Sequence, residues 1–197
     1  MKNEQESTRD RIIDVAENLF WEKGYHGASM RTVADACHCR PGNLYNYFKS
    51  KEELLYEVFT RQMETILPHI KPLANDTRNS PTERMRRLIK VHLNVIMNAS
   101  KGYFFDSESK HLSARYRKKI IKMRDVYDKT LRKIIREGIE IGEFSETDEN
   151  LAAIYISSII VRCKIWYSPD GKLTLDELAE SILEFCLNGL KSQGQRE

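Results

Sequence analysis

Residues 37–51 read CHCRPGNLYNYFKSK: two cysteines flanking a histidine, then a proline, paired tyrosines and two lysines. The stretch admits three readings: a metal site, a reactive thiol, or the working part of a helix-turn-helix. Zinc takes four ligands, or three and a water, and structural sites assemble their Cys and His pairs at set spacings. Cys37, His38 and Cys39 are too crowded for that spacing, no second cluster follows, and His26, His69, His92 and His111 are scattered along the chain, so no metal ligands are expected. A reactive thiol needs an electropositive, exposed setting. Cys39 instead falls where a helix-turn-helix turns an apolar side chain inward. The helical reading accounts for the whole stretch.

In that reading Met30 to Cys37 is a helix that braces across the DNA backbone, His38 occupies the turn, and Pro41 to Phe48 is the helix offered to the major groove. Pro41 suits a first helical position, where its missing N–H would be unpaired anyway. His38 stands where glycine would be easiest, yet histidine is among the residues enriched at positive φ. Working outward, Ser29 caps the bracing helix, whose Met30, Val33 and Ala34 form one apolar face. Upstream, Ser7 and Asp10 resemble a capping box, and Ile12, Val15, Ala16, Leu19 and Phe20 repeat at helical spacing up to Gly24, a left-handed cap. Three helices thus precede Lys51.

Downstream, Lys51 to Ile66 is a fourth helix, and Pro68, Pro72 and the polar stretch 75–81 interrupt helical structure. Helical periodicity returns over 82–100, 113–141 and 148–166, a turn is expected at Ser168-Pro-Asp-Gly171, and a last helix covers 174–190. Nothing reads as a strand. The start is polar, and the longest apolar run, Leu151 to Val161, is too short to span a bilayer and is broken by Arg162. A cytoplasmic protein with no membrane partner is expected. Four cysteines in 197 residues do not make a disulfide scaffold. The net charge of +3 decides no partner, and acidic side chains outnumber basic ones over residues 1–60.

The segment RIIDVAENLFWEKGYHGASMRTVADACHCRPGNLYNYFKSKEELLYEVF, residues 11–59, resembles the TetR family of transcriptional regulators. The resemblance covers residues 8 to 59. Its marks are a first helix ending in F-x-x-x-G-Y, a turn, and then L-Y-x-Y-F-x-S-K-E-x-L, with His38 for the usual turn glycine and Cys39 for the usual valine. It implies an all-α protein of about nine helices. A three-helix DNA-binding domain over 1–50 would be joined to a larger helical ligand-binding and dimerisation domain over 51–197.

The residues themselves suggest how the surface would read DNA. Pro41, Gly42 and Asn43 start the reading helix, where free N–H groups suit phosphate and low bulk allows close approach. Asn43, Asn46 and Tyr47 can face the groove, where asparagine pairs with adenine and a ring can lie on a thymine methyl. By resemblance to the family, Tyr45 and Lys51 would clamp phosphates, with Ser29, Arg31, Thr32 and Arg40 as further contacts. Phe48 reads as a plain core aromatic, and Tyr45 and Tyr47 could be core aromatics as well as DNA contacts.

In the larger part, Leu151, Ile154, Tyr155, Ser158, Ile159 and Val161 make one apolar stripe and Leu178, Ile182, Phe185, Cys186 and Leu190 another. The family forms a four-helix dimer bundle from such a pair, so the resemblance implies a homodimer. Arg162 and Trp166 share a helix face, as an arginine snorkelling to water or as a stacked pair at a ligand or dimer boundary. R-x-x-x-W followed by P-D-G and D-E-L resembles TetR regulators of steroid and fatty-acid breakdown that respond to CoA thioesters. Basic clusters at Arg84, Arg86, Arg87 and Lys90, and from Arg115 to Arg124, read first as solvated surface and second as phosphate binders. Met97, Tyr103, Phe104, Phe105, Ile120, Met123 and Tyr127 could line an acyl pocket or be ordinary core.

No nucleophile-elbow, zinc-protease, dinucleotide or P-loop motif occurs, so no enzyme is expected. The reading is a regulator, in all expectation a repressor, that binds a double-stranded palindromic operator and is released by a small-molecule effector such as an acyl-CoA thioester, with no other cofactor. The alternative is a helical dimeric interaction or carrier protein without operator binding.

Overall fold

The computed structural model describes residues 2–98 and 108–190, and every regular element among them is helical. Eight α-helices run in chain order: α1 Lys2–Gly27, α2 Met30–Ala36, α3 Pro41–Tyr45, α4 Lys51–Ile70, α5 Pro81–Asn98, α6 Ala114–Glu140, α7 Glu149–Trp166 and α8 Leu175–Leu190. Short 3-10 turns occupy Lys71–Asn75 and Ser109–His111. The all-α expectation holds, and the number of helices is close to the expected nine.

The chain groups into two compact units, Met1–Glu64 with Ala99–Met123, and Thr65–Asn98 with Arg124–Glu197. The first unit's core joins Ile12, Ile13, Ala16 and Phe20 of α1, Met30, Val33 and Ala34 of α2, Leu44 and Phe48 at α3, and Leu54, Leu55, Val58 and Phe59 of α4. Leu112 and Ile120 complete it. Each fully buried aromatic or aliphatic side chain contributes about 1.5–3 kcal/mol by leaving water. Because Leu54, Leu55, Val58 and Phe59 of α4 belong to this core, the first unit extends past residue 50, to Glu64.

Both ends of α1 and the far end of α4 differ from the sequence reading. The first helix starts at Lys2, so Ser7 lies inside α1 and the Ser7–Asp10 capping box does not open it. At its other end Gly24 adopts φ 66°, ψ 171°, the non-helical backbone a glycine permits, and one further turn follows before Gly27. The fourth helix continues through Pro68 to Ile70 instead of stopping near Ile66. A proline in the last turn removes a single hydrogen bond, and the chain tightens into the 3-10 turn only at Lys71.

In the second unit α5 packs on α7 and α8, and α8 also meets α7. Leu88, Ile89, Leu93 and Ile96 of α5 are buried, as are Ile156, Ile160 and Cys163 of α7 and Leu178, Ile182, Leu183 and Cys186 of α8. The apolar stripe expected of α8 as a partner surface therefore faces the core at Leu178, Ile182 and Cys186, and only Phe185 is turned outward; the side chain of Leu190 lies outside the described residues. Asp148 caps α7 by accepting from the amides of Asn150 (2.8 Å) and Leu151 (3.1 Å). Thr174 and Glu177 form a reciprocal capping box ahead of α8.

The basic cluster on α5 is neutralised within this unit. Arg84, itself buried, pairs with Glu137 of α6 and donates to the carbonyl of Leu73. Arg86 pairs with Glu83 and Glu180, Lys90 with Asp176 and Glu180, and Arg87 with Asp76. These cations tie α5 to the start of α8 and to the preceding loop.

Candidate nucleic-acid interface

The helix-turn-helix is held by a reciprocal cap at one end of α2 and a closed turn at the other. Ser29 adopts extended backbone and caps α2, its Oγ accepting from the Thr32 amide at 3.1 Å while Thr32 Oγ1 accepts from the Ser29 amide at 2.8 Å. At the other end of α2 the chain reverses through His38 at φ 53°, the only non-glycine residue at positive φ among those described. The amide of Cys39 returns to the Ala34 carbonyl at 3.0 Å, and Arg11 of α1 donates to the Cys37 carbonyl at 3.1 Å. Histidine at the turn is thus accommodated, as expected, with the closing hydrogen bonds that glycine would give.

Cys37 is buried, and burial pushes its thiol up from the ordinary value, away from the thiolate that metal binding or redox work requires. Cys39 is half-buried against the core. Among the described residues no group of three or more histidine, cysteine or acidic side chains is placed to hold a metal.

Arg40 is the extended cap residue before α3, and Pro41 takes the first helical position. The helix is short, ending at Tyr45 with Asn46 as its cap, so Tyr47 and Phe48 lie beyond it rather than on it. Leu44 and Phe48 fix it by their side chains, at 0% and 1% exposure, with the Arg9 guanidinium 5.3 Å from the Phe48 ring centre. This anchoring leaves Arg40, Pro41, Gly42, Asn43, Tyr45 and Asn46 exposed together, with Arg31 exposed on α2. A β-carbon on Gly42 would meet nothing within 4 Å, so the fold itself does not require glycine there. Tyr45 is 54% exposed, whereas Tyr47 is half-buried against the core, which answers the core-or-surface question separately for each.

Lys51 is placed differently from a free phosphate clamp. Its ammonium donates to the carbonyls of Tyr25 (2.8 Å) and Ala28 (2.9 Å) and lies 4.1 Å from the Tyr25 ring centre. Burial lowers its pKa from the ordinary lysine value. Two of its three donors hold the end of α1, leaving at most one for DNA. Ser29 and Thr32 likewise use their hydroxyls on each other. Sequence reasoning missed Arg11 as the support of the turn, and it missed a group formed by Tyr25, His26, Glu108 and His111. Nothing in the spacing of residues 11 and 37, or 26 and 111, announces either.

Residues 12–58 match the model of bacterial regulatory proteins of the tetR family, and residues 78–190 match that of the tetracyclin repressor-like C-terminal domain. The chain belongs to the TetR family. This TetR-family chain is 27% identical to the HTH-type transcriptional repressor KstR2 of Mycolicibacterium smegmatis, over 96% of this chain and 94% of that protein. It is 28% identical to the fatty acid metabolism regulator protein of Bacillus subtilis, over 93% and 95% of the two chains. The similarity to TetR regulators of steroid and fatty-acid metabolism is therefore chain-long. In fold it matches the crystal structure of AibR in complex with isovaleryl coenzyme A and operator DNA, with a TM-score of 0.77 at 22% identity over 93% of this chain and 97% of that one. TetR proteins of this kind are transcriptional regulators, not enzymes.

The residues expected to contact an effector are less of a group. Tyr103, Phe104 and Phe105 lie outside the described residues. Met123 packs half-buried against the core of the first unit. In the second unit Met97 is half-buried, and its carbonyl accepts from Lys164 at 3.2 Å. Tyr127 is buried, its hydroxyl 2.8 Å from His92 Nδ1. Arg162 and Trp166 are both exposed, on the same face of α7 as Leu151, Ile154 and Tyr155, so they lie along the uncovered apolar stripe rather than with Tyr127. No helix among the described residues is long and apolar enough to cross a membrane.

Proposed function

We propose that the protein is a homodimeric repressor that holds a palindromic operator with α3 and releases it when an acyl-CoA thioester or a similar small apolar effector binds. The observation that carries this reading is the solvent-facing set Arg31, Arg40, Pro41, Gly42, Asn43, Tyr45 and Asn46, presented by a turn and a helix whose packing uses none of them. Arg31, Arg40 and the Tyr45 hydroxyl suit phosphate oxygens, and Asn43 and Asn46 suit base edges, so register and sequence would be read by different side chains. Work on operator DNA belongs in the cytoplasm.

Twofold symmetry is supported by an uncovered apolar face. Leu151, Ile154, Tyr155, Ile165 and Trp166 of α7 and Phe185 of α8 are each between 48% and 68% exposed. A monomer rarely leaves so many large apolar side chains together in water. The effector class is supported by the fatty acid metabolism regulator among the relatives and by the isovaleryl coenzyme A bound to AibR. Release would be a population shift, in which the effector prefers a conformation that spaces the two α3 helices wrongly for the operator.

Selection of the purified protein on random duplexes, followed by titration with acyl-CoA thioesters of increasing chain length, tests the reading. An enriched inverted repeat with half-sites about 34–36 Å apart, released by one length range, is expected. A protein that takes up thioester but enriches no sequence would instead be a ligand carrier.

A further inference from the structure

The first unit contains a cluster that the DNA-binding surface does not use. Gly24 breaks the helical backbone of α1 and so leaves the Tyr25 amide without its helical acceptor. Glu108 supplies one: its Oε2 accepts from the Tyr25 amide at 2.9 Å. His111, three residues on, stacks on the Tyr25 ring at 4.7 Å between centres and 11° between planes. The His26 ring meets the same His111 ring edge-on at 4.4 Å. Glu108 Oε2 is also 3.6 Å from His111 Nε2. Two residues of the 108–111 segment therefore clamp two residues at the end of α1.

The clamp adjoins the helix-turn-helix directly. The Tyr25 and Ala28 carbonyls that follow Gly24 are held by Lys51, at the start of α4, and Ser29 next in the chain caps α2. Glu52 of α4 accepts from the Ser113 amide at 2.7 Å, a second tie between α4 and the segment leading into α6. Shifting the Tyr25–Ala28 turn would move both the cap of α2 and the anchor of α4, the two ends between which the turn and α3 are hung.

We propose that the clamp of Glu108 and His111 on Tyr25 and His26 is a proton-sensitive latch, which holds the helix-turn-helix in its DNA-binding arrangement near neutral pH and lets it go on acidification. A proton on His111 is placed among Tyr25 and His26 of α1, Lys51 and Glu52 of α4, and Glu108 and Lys110 of its own segment. Burial and the neighbouring His26 lower the pKa of His111, Glu108 raises it, and Lys110 and Lys51 lower it again. The sum is downward. The latched state therefore binds protons less readily than an opened one, and acid favours opening. This is a property of the unliganded protein, independent of which effector it takes.

The test is a proton–nitrogen NMR titration of the full chain between pH 7.5 and 5.5, paired with binding to a sheared mixed-sequence duplex at fixed salt. The expected result is that the amides of Tyr25, Ser29 and Thr32 shift together with the His111 ring protons. Duplex affinity should then fall by about fivefold relative to a His111→Phe variant, the lower end of ordinary coupling between sites. That variant keeps the stack and loses the proton, so its affinity should follow pH less steeply. Glu108→Gln, which keeps an acceptor for the Tyr25 amide and loses the charge, should move the transition to higher pH. If His111 titrates while Ser29 and Thr32 do not respond, or if His111→Phe and the parent chain follow pH alike, the latch is overturned.

Discussion

Phe144 lays its ring across Gly138, six residues earlier, so closely that a β-carbon on that glycine would lie 2.1 Å from Phe144 Cδ2. The Phe144 amide also donates to the Gly138 carbonyl at 3.0 Å, closing the end of α6 through Gly142 at φ 78°. Gly138→Ala is expected to cost about 1–3 kcal/mol by overpacking, because the ring is buried and has no free direction of retreat. Gly142→Ala meets no neighbour and should lose about 1–2 kcal/mol from backbone strain alone. Urea unfolding of the two variants separates the mechanisms, since Phe144→Leu should rescue the first and leave the second unchanged.

His92 lies wholly inside the second unit and donates or accepts at the Tyr127 hydroxyl; burial lowers its pKa to about 3. In the unfolded chain it takes up a proton below about 6.5. Between those values the unfolded state binds more protons, so stability is full above about pH 6.5 and declines as the pH falls toward 3. From this group alone the loss at pH 5 is about 2 kcal/mol. Thermal unfolding at pH 7.5, 6 and 5 should show that slope, and His92→Gln should flatten it.

His38 holds a left-handed backbone that costs a non-glycine residue roughly 1–2 kcal/mol. His38→Gly is expected to raise stability by less than that, about 1 kcal/mol at most, since glycine loses more freedom on folding. His38→Val should instead destabilise the protein relative to the parent chain, because a β-branched residue fits that region worst. Unfolding midpoints in urea decide it; equal midpoints for His38→Gly and the parent would show that the turn is already relaxed.

Lys51 and Arg40 should fail in different ways. Lys51→Ala removes two hydrogen bonds to the end of α1 and a cation from the Tyr25 ring, so a fall of about 1–3 kcal/mol in stability should accompany weaker DNA binding. Arg40→Ala leaves the fold untouched and should lower DNA affinity for all sequences alike, with the salt slope reduced by about one phosphate contact. Gly42→Ala is expected to leave the unfolding midpoint within about 0.5 kcal/mol while blocking close approach to DNA. A stable, fully binding Gly42→Ala protein would remove α3 from the DNA surface.

Ile154→Arg and Phe185→Glu each put a charge on the uncovered face of α7 and α8. Sedimentation at micromolar concentration should show the parent chain as a dimer and both variants as monomers with unchanged helix content. Unchanged assembly would place the symmetric contact elsewhere.

The DNA-binding half was legible because its signals are local. Ser29, His38 and Pro41 each mark a backbone event at their own position, and all three occur where the sequence puts them. Phe48, read as a core aromatic, is buried. The readings that shifted depended on partners far along the chain. Lys51 looked like a phosphate ligand because the carbonyls of Tyr25 and Ala28 cannot be seen from its neighbours. Leu178, Ile182 and Cys186 read as a partner surface because a stripe does not say whether α5 or a second subunit covers it. Glu108 and His111 carried no signal at all, since their meaning comes from the broken backbone at Gly24.

The four cations on α5 carry a consequence for any measurement made in salt. Arg84, Arg86, Arg87 and Lys90 are engaged by acidic side chains of their own unit, so they hold few mobile ions to give up when DNA arrives. The slope of log affinity against log salt then counts cations of the first unit, near α2, α3 and the start of α6, and a plot steeper than that number allows would reveal a further strip of the molecule lying on the duplex.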